Sequence, residues 1–433
     1  MFLLVLLTAV MLIRPGEVFP DLEGLPIYYW VILVNIVLNF DKVIAQLNAR
    51  VLLSRPMLCC IFGILFARIM SHLTMMRTYE AREAFEEFSK IIIFYLIYTG
   101  VVVSKSRVLT MMKCIALFSV IEVGMAVADY LEYYDFPAIK SVSETFTDPQ
   151  TGEITVYSRM CGTGLFEDPN DLCMLITVGS SLCFYLMTRQ VLSFFWSVPL
   201  VFLIYSITLT HSRGGLLSLI AAALAIFVSK YGWRKMFPLI LCASPVVLLL
   251  GGRQASISTS EGTGQARIQL WSYGFTAIVT EKAPLFGVGF RRYPEYAGLD
   301  AHNSFIQTYV ETGFFGGTCF FAMFYYSVVN LIRVNRQGNG LIDPDLVKMQ
   351  PYLMGITVGV ITSMMSLTRE RTVVVYLFTG LIECYFLSIA AQVPGFMPRL
   401  DRPQFQRILK ASAICFVVLY LYTRASARFS GNG

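Results

Sequence analysis

Apolar runs of the length one helix needs to cross a bilayer, about 17–25 residues, recur from one end of this 433-residue chain to the other. They begin near Met1, Tyr28, Pro56, Ser89, Leu109, Leu172, Val191, Gly215, Met236, Asn303, Pro351, Thr372 and Ala411. The first and last are short. The pattern therefore predicts an all-α, polytopic integral membrane protein of about 12–13 transmembrane helices, a single membrane domain over residues 1–433. Composition agrees: 56% of the residues are hydrophobic and 14% charged, against about 25% charged in a soluble domain. Residues 1–13 lack a basic leader and a small-residue cleavage site, so they read as a helix and not as a signal peptide.

Charge sets the orientation. With the N-terminus inside and the spans alternating, the inner loops collect Lys42, Arg50, Arg55, Lys105, Arg107, Lys230, Arg234, Lys235, Arg333, Arg336, Lys348, Arg399, Arg402 and Arg407. The opposite orientation would place all of them outside, against the positive-inside rule. The net charge of +6 needs no nucleic-acid partner, because the aromatic residues lie in apolar runs and not along a basic stripe.

Two long loops fall outside. Residues 130–168 are acidic and hold two β-prone stretches (145–147 and 154–157) around Thr151-Gly152-Glu153, the pattern of a hairpin. Residues 251–301 gather Arg253, Arg267, Lys282, Arg291 and Arg292 where basic residues are normally sparse. Within them Ile268, Trp271, Phe275 and Ile278 recur at helical spacing. This predicts an amphipathic helix over 265–279 lying on the membrane surface. A loop with arginines above lipid headgroups suits an anionic ligand.

The ten cysteines sit almost all inside apolar runs, with no CxxC pair and no Cys/His cluster, so they read as small buried hydrophobes. No metal site and no cofactor is expected. Asp343-Pro344-Asp345 has the form of a metal-binding DxD but lies in an inner loop, away from the other candidates. The stretch Pro284-Leu-Phe-Gly287-Val-Gly289-Phe-Arg291-Arg292 is not a dinucleotide fingerprint, since it follows no strand.

The three histidines, His72, His211 and His302, all fall at outer ends of spans. His302 opens a helix, and Gly313, eleven residues on, would lie on nearly the same helical face. Gly313, Gly316 and Gly317 allow a backbone or a lipid-linked ligand to approach closely, or serve ordinary small-residue helix packing. His72 ends its span with no such neighbours in sequence. Arg213 follows Thr210-His211-Ser212 and precedes Gly214-Gly215, a guanidinium beside exposed backbone N–H groups that suits a phosphate. Arg369 and Arg371 stand in a short outer loop.

Four elements in order resemble one family, the O-antigen ligases, O-antigen polymerases and bacterial protein O-oligosaccharyltransferases. Arg159-Met-Cys-Gly162-Thr-Gly164-Leu-Phe166-Glu-Asp168-Pro169-Asn170 is similar to the family's G-x-F-x-x-P-N segment. Ser212-Arg213-Gly214-Gly215 follows, then Arg267-Ile-Gln-Leu-Trp271 with Pro284-Leu-Phe-Gly287-Val-Gly289. His302-Asn303 and Gly313-Phe-Phe-Gly316 resemble H-N-x₉-G-x-x-G. The close resemblance covers residues 159–317; His211 departs from the small or apolar residue expected before Ser-Arg.

The resemblance implies a glycosyltransferase of the bacterial inner membrane. It would take a glycan from a polyprenyl-pyrophosphate carrier on the periplasmic face and pass it to a hydroxyl of a glycan, a lipid core or a protein. Arg213 and Arg267 would hold the pyrophosphate and His302 would be the base. Arg291, Arg292, Arg369, Arg371 and His211 are further substrate-binding candidates. Asp168 could orient an acceptor, but it and Asn170 also suit helix capping. Polymerase and ligase are not separated by these motifs. The rival is a transporter or flippase of the same lipid-linked sugar; the internal repeats and broken helices typical of transporters are not evident in the sequence.

Overall fold

The computed structural model describes residues 1–147, 154–189, 191–238, 263–338 and 340–430. The hairpin's turn, most of the span expected from Met236, Arg253 and Cys242 lie outside the described residues. The all-α polytopic reading holds. Among the described residues seven helices are long and apolar enough to cross a membrane: Pro56–Leu73, Lys105–Tyr130, Pro169–Met187, Arg213–Tyr231, Ser304–Gln337, Val373–Gln392 and Arg402–Ala427. The bent pair Ile27–Leu38 and Phe40–Gln46 makes an eighth if it acts as one span, and Phe2–Ile13 and Phe194–Leu209 are shorter apolar helices.

The chain divides into two compact units. The first comprises Met1–Asn39, Val101–Ser256 and Leu331–Ser363. Its central helix, Pro169–Met187, is buried along nearly its whole length, against Lys105–Tyr130, Ser197–Leu209 and Arg213–Tyr231. Small residues make this closeness possible. A Cβ on Gly179 would stand 2.8 Å from Ser119 Cβ, and one on Gly359 2.6 Å from the Thr177 methyl. Helices in lipid associate this way, because tails and apolar side chains are equivalent solvents and only close backbone approach adds attraction. The hairpin of this unit pairs Val142–Thr147 antiparallel with Ile154–Arg159, in the register Val142 opposite Arg159.

The second unit comprises Phe40–Gly100, Ile257–Asn330 and Met364–Gly433. Its central helix is Val373–Gln392, buried on all sides. Glu383 on that helix pairs with Arg55, Nε to Oε1 at 2.6 Å, and accepts from the Tyr95 hydroxyl on its other oxygen. Arg55 also donates to Gln46, whose amide donates in turn to the Leu96 carbonyl at 2.8 Å. Charges this deep persist only when paired and hydrogen-bonded. Removing one partner of such a pair costs about 3–5 kcal/mol.

The helix Ser304–Gln337 is broken at Gly313, with φ 68° and ψ −171°. In an unbroken helix the N–H groups of Phe314 and Phe315 would bond the carbonyls of Val310 and Glu311. Here Phe314 donates to Pro284 O at 2.9 Å and Phe315 to Leu285 O at 3.1 Å. The Val310 and Glu311 carbonyls accept instead from Val288 at 3.0 Å and Gly289 at 3.1 Å. The Pro284-Leu-Phe-Gly287-Val-Gly289 stretch therefore takes over the ladder that the break gives up. The expectation that His302 and Gly313 share one helical face is corrected: the helix starts only at Ser304, and Gly313 is where it breaks.

The expected amphipathic helix spans Thr263–Thr280. Its apolar face, with Phe275 and Ile278, is covered by protein, among them Ile306, Val310 and the rings of Phe416 and Tyr420. The same stripe that would suit a headgroup layer serves as core packing.

Candidate functional site

In the first unit, two motifs far apart in sequence close on each other. Asp168 caps the helix Pro169–Met187, its Oδ1 accepting from Asn170 N at 2.7 Å and also from Asn170 Nδ2 at 2.7 Å. Asn170 then receives the Ser212 hydroxyl on Oδ1 at 2.5 Å. Ser212 in turn caps the next helix, Arg213–Tyr231, accepting from Gly215 N at 2.9 Å. Gly215 is required, since a Cβ there would run into Cys173 Sγ. Asp168 is thus the cap, and Asn170 the bridge. Arg213, first residue of its helix, is exposed, at the end where the helix dipole favours anions. His211 sits beside it in the left-handed region, φ 50°. Arg159, quoted above only as part of a motif, joins this cluster by donating from Nε to Thr210 O at 3.1 Å. Its place just after a β-prone stretch was visible in sequence, but its return to Thr210 depends on the hairpin's register.

In the second unit, a second cluster forms around residues 300–303. Asn303 caps the helix Ser304–Gln337 by accepting from Phe305 at 3.1 Å and Ile306 at 3.2 Å. His302, immediately before the cap, is half-buried in the left-handed region, φ 48°. The residue before it is held from two directions: Ala301 N donates to Gln307 Oε1 at 2.8 Å, and Ala301 O accepts from the Trp271 indole at 2.7 Å. Arg267 stands one helical turn before Trp271 on the same helix, Thr263–Thr280. Arg371 pairs with Asp300 at 2.7 Å. Arg369 is tied in through its backbone, donating to Ser304 Oγ at 2.9 Å, while Ser304 donates to Leu367 O at 2.7 Å.

Below this loop lie groups that sequence inspection missed. Gln307 bridges Asp300 at 3.0 Å and Glu311 at 2.6 Å. Glu370 is 1% exposed, and neither carboxylate oxygen is hydrogen-bonded to another described residue. Burial raises its pKa above the usual carboxylate range, and Arg371 and Arg68 pull it back. Arg68, itself 1% exposed, donates to the Glu370 carbonyl at 2.9 Å and lies 4.1 Å over both the Phe88 and Phe290 rings. An arginine in the middle of an apolar helix was the available signal for this layer.

Arg291 and Arg292 are placed differently. Arg291 faces Glu87 at 3.3 Å. Arg292 forks onto Glu295, Nε to Oε1 at 2.8 Å, and holds that carboxyl below its ordinary pKa range. His72, which in sequence ends its span without neighbours like those of His302, lines a groove with both arginines and with Glu80, Glu83, Glu87 and Glu295. Asp343 and Asp345 both face Lys105, at 2.6 and 3.3 Å, an ion-pair role for the DxD-like run. Among the described residues no group of three or more His, Cys, Asp or Glu side chains is arranged to hold a metal ion.

No curated protein matches the chain. Residues 198–321 match the family model described as O-antigen ligase. The match takes in Arg213, Arg267, His302, Arg291 and Arg292, and both halves of the exchange at Gly313. Arg159, Asp168, Arg369 and Arg371 stand outside it. With its membrane-spanning helices the chain is a multi-pass membrane protein, and over residues 198–321 it is similar to the O-antigen ligase family.

Proposed function

We propose that the chain moves a glycan from a polyprenyl-pyrophosphate carrier to an acceptor hydroxyl, on the periplasmic face of the bacterial inner membrane, by a single inverting displacement without a divalent metal. The O-antigen ligase domain carries the coarser part of this reading, glycosyl transfer in a membrane. The acceptor oxygen attacks the anomeric carbon while the bond to the pyrophosphate breaks and its electron pair leaves with the phosphate. The acceptor's proton passes to His302, an imidazole suited to that task near neutral pH. Arg213 and Arg267, by the family resemblance, meet the charge growing on the leaving group. Arg369 and Arg371 are further candidates for the same charge. His211 and Asp168 are candidates for orienting substrate.

The observation that supports this best is the way the second unit holds residues 300–303. Trp271, Gln307 and Arg371 fix that loop, so the imidazole of His302 stands on a preorganised backbone with arginines on neighbouring elements. A base must be positioned before its basicity matters.

The test is transfer by purified protein with a lipid-linked donor in excess chelator. Activity should be unchanged. Loss of activity in chelator, restored by magnesium or manganese, would overturn the arginine account and bring Asp168 and Asp171 forward as ligands.

A further inference from the structure

The helix Thr78–Val101 places Glu80, Glu83 and Glu87 at helical spacing along one wall of a groove of about 190 Å³. The groove is lined as well by Arg291, Arg292, Glu295 and His72. His72 is 2% exposed, and its Nδ1 has no hydrogen-bond partner among the described residues. A buried ring nitrogen without a partner, beside an open groove, is a polar group awaiting a ligand.

The charges limit what that ligand is. Four carboxylates face two guanidinium groups, so the groove is net negative and repels a phosphate or an acidic sugar. The arginines are already paired, Arg291 with Glu87 and Arg292 with Glu295. No metal-binding group of three or more His, Cys, Asp or Glu converges among the described residues. A molecule with many hydroxyls meets the requirement, because each hydroxyl both donates and accepts. It can donate to carboxylates and to an imidazole nitrogen, and accept from guanidinium groups, without breaking either ion pair. The volume is below the roughly 300–1,000 Å³ of drug-sized sites and suits one sugar ring.

We propose that this groove is a subsite for a neutral or amine-bearing saccharide. It lies at the same end of the second unit as His302, since Ser71 accepts from Phe290 N at 3.1 Å and Arg68 donates to Glu370 O at 2.9 Å. The proposal takes from the glycan-transfer reading only the source of the sugar, which is the acceptor or the donor glycan.

The test is saturation-transfer NMR on the full-length protein in a detergent without sugar headgroups, using methyl glucoside, glucosamine and glucuronate. The first two should give signals and glucuronate none. Glu80→Ala/Glu83→Ala, which leaves both arginine pairs intact, should weaken binding by about tenfold or more. No signal from the wild type, an equal signal from glucuronate, or an unchanged double variant would each overturn the subsite. Preloading with a polyprenyl-pyrophosphate-linked glycan then separates the sources: displacement assigns the groove to the donor, undisturbed binding to the acceptor. Binding is read without turnover. A protein that binds sugar but transfers nothing fails the transfer reading alone, and one that transfers but binds no sugar fails the subsite alone.

Discussion

His302 adopts a left-handed backbone, φ 48°, a conformation that costs a residue other than glycine about 1–3 kcal/mol and persists only where its surroundings impose it. The surroundings here do so through Trp271, Gln307 and the Arg371–Asp300 pair. This permits a clean control. Asparagine tolerates the left-handed region better than alanine and has no basicity. His302→Asn should keep the fold and the donor affinity while losing about 10²–10⁴-fold in turnover. Normal turnover in that variant would hand proton removal to His211, to a carboxylate or to solvent. Loss of donor binding would make His302 a pyrophosphate ligand. Arg213→Ala and Arg267→Ala should each cost roughly ten- to a hundredfold or more, the worth of a charge-assisted hydrogen bond of about 1.5–3 kcal/mol. Lysine should rescue only in part, lacking the bidentate fork. Transfer measured on purified variants checks each, and near-normal rates would remove that arginine from the site. At this scale the sequence singles out residues whose type is rare in their segment, as it does His302 and Arg213, and their roles rest on the variants above. It was silent on Glu370, and it gave Arg159 only as part of a motif, because the partners of both are reached through the fold.

Two helices and one loop depend on a single glycine. At Gly313, φ 68° and ψ −171° lie in a region essentially closed to residues with a Cβ, and a Cβ would also strike the Leu285 backbone. Gly287, at φ 75°, is its counterpart in the loop, where a Cβ would strike Glu311. Gly313→Ala should therefore destabilise by more than the conformational term alone and should also uncouple the loop at 284–289 from the helix. Gly395→Ala is the comparison: φ is 83° and nothing lies within 4 Å, so only strain of about 1–2 kcal/mol applies. Thermal unfolding in one detergent compares them. Equal shifts in the two variants would mean that the backbone exchange contributes nothing. The hairpin and the amphipathic helix were legible because a turn between β-prone stretches and a 3.6-residue apolar period are properties of the local chain. The exchange at Gly313 was not. Its hydrogen bonds join segments whose spacing in sequence carries no periodic signal, and the glycines alone fit ordinary helix packing equally well.

For the whole molecule, the remaining question is which way it faces. The helices fix a membrane protein but carry no sense of inside and outside. That sense comes from the loops, since lysine and arginine resist translocation while acidic residues contribute little. Lys235 and Arg336 are exposed near ends of helices in the first unit, among the basic loops expected inside. Ser143, in the acidic loop with the hairpin, and Lys282, just past the amphipathic helix, are exposed in the loops expected outside. The chain's own cysteines are buried or only partly exposed among the described residues, so they give a low background for labelling. We predict that a membrane-impermeant thiol reagent modifies Ser143→Cys and Lys282→Cys in cells whose inner membrane is intact, and reaches Lys235→Cys and Arg336→Cys only after that membrane is opened. The reverse pattern would put residues 300–303 and Arg213 in the cytoplasm. Transfer from a carrier on the periplasmic face would then be impossible for this chain, whatever the chemistry of His302.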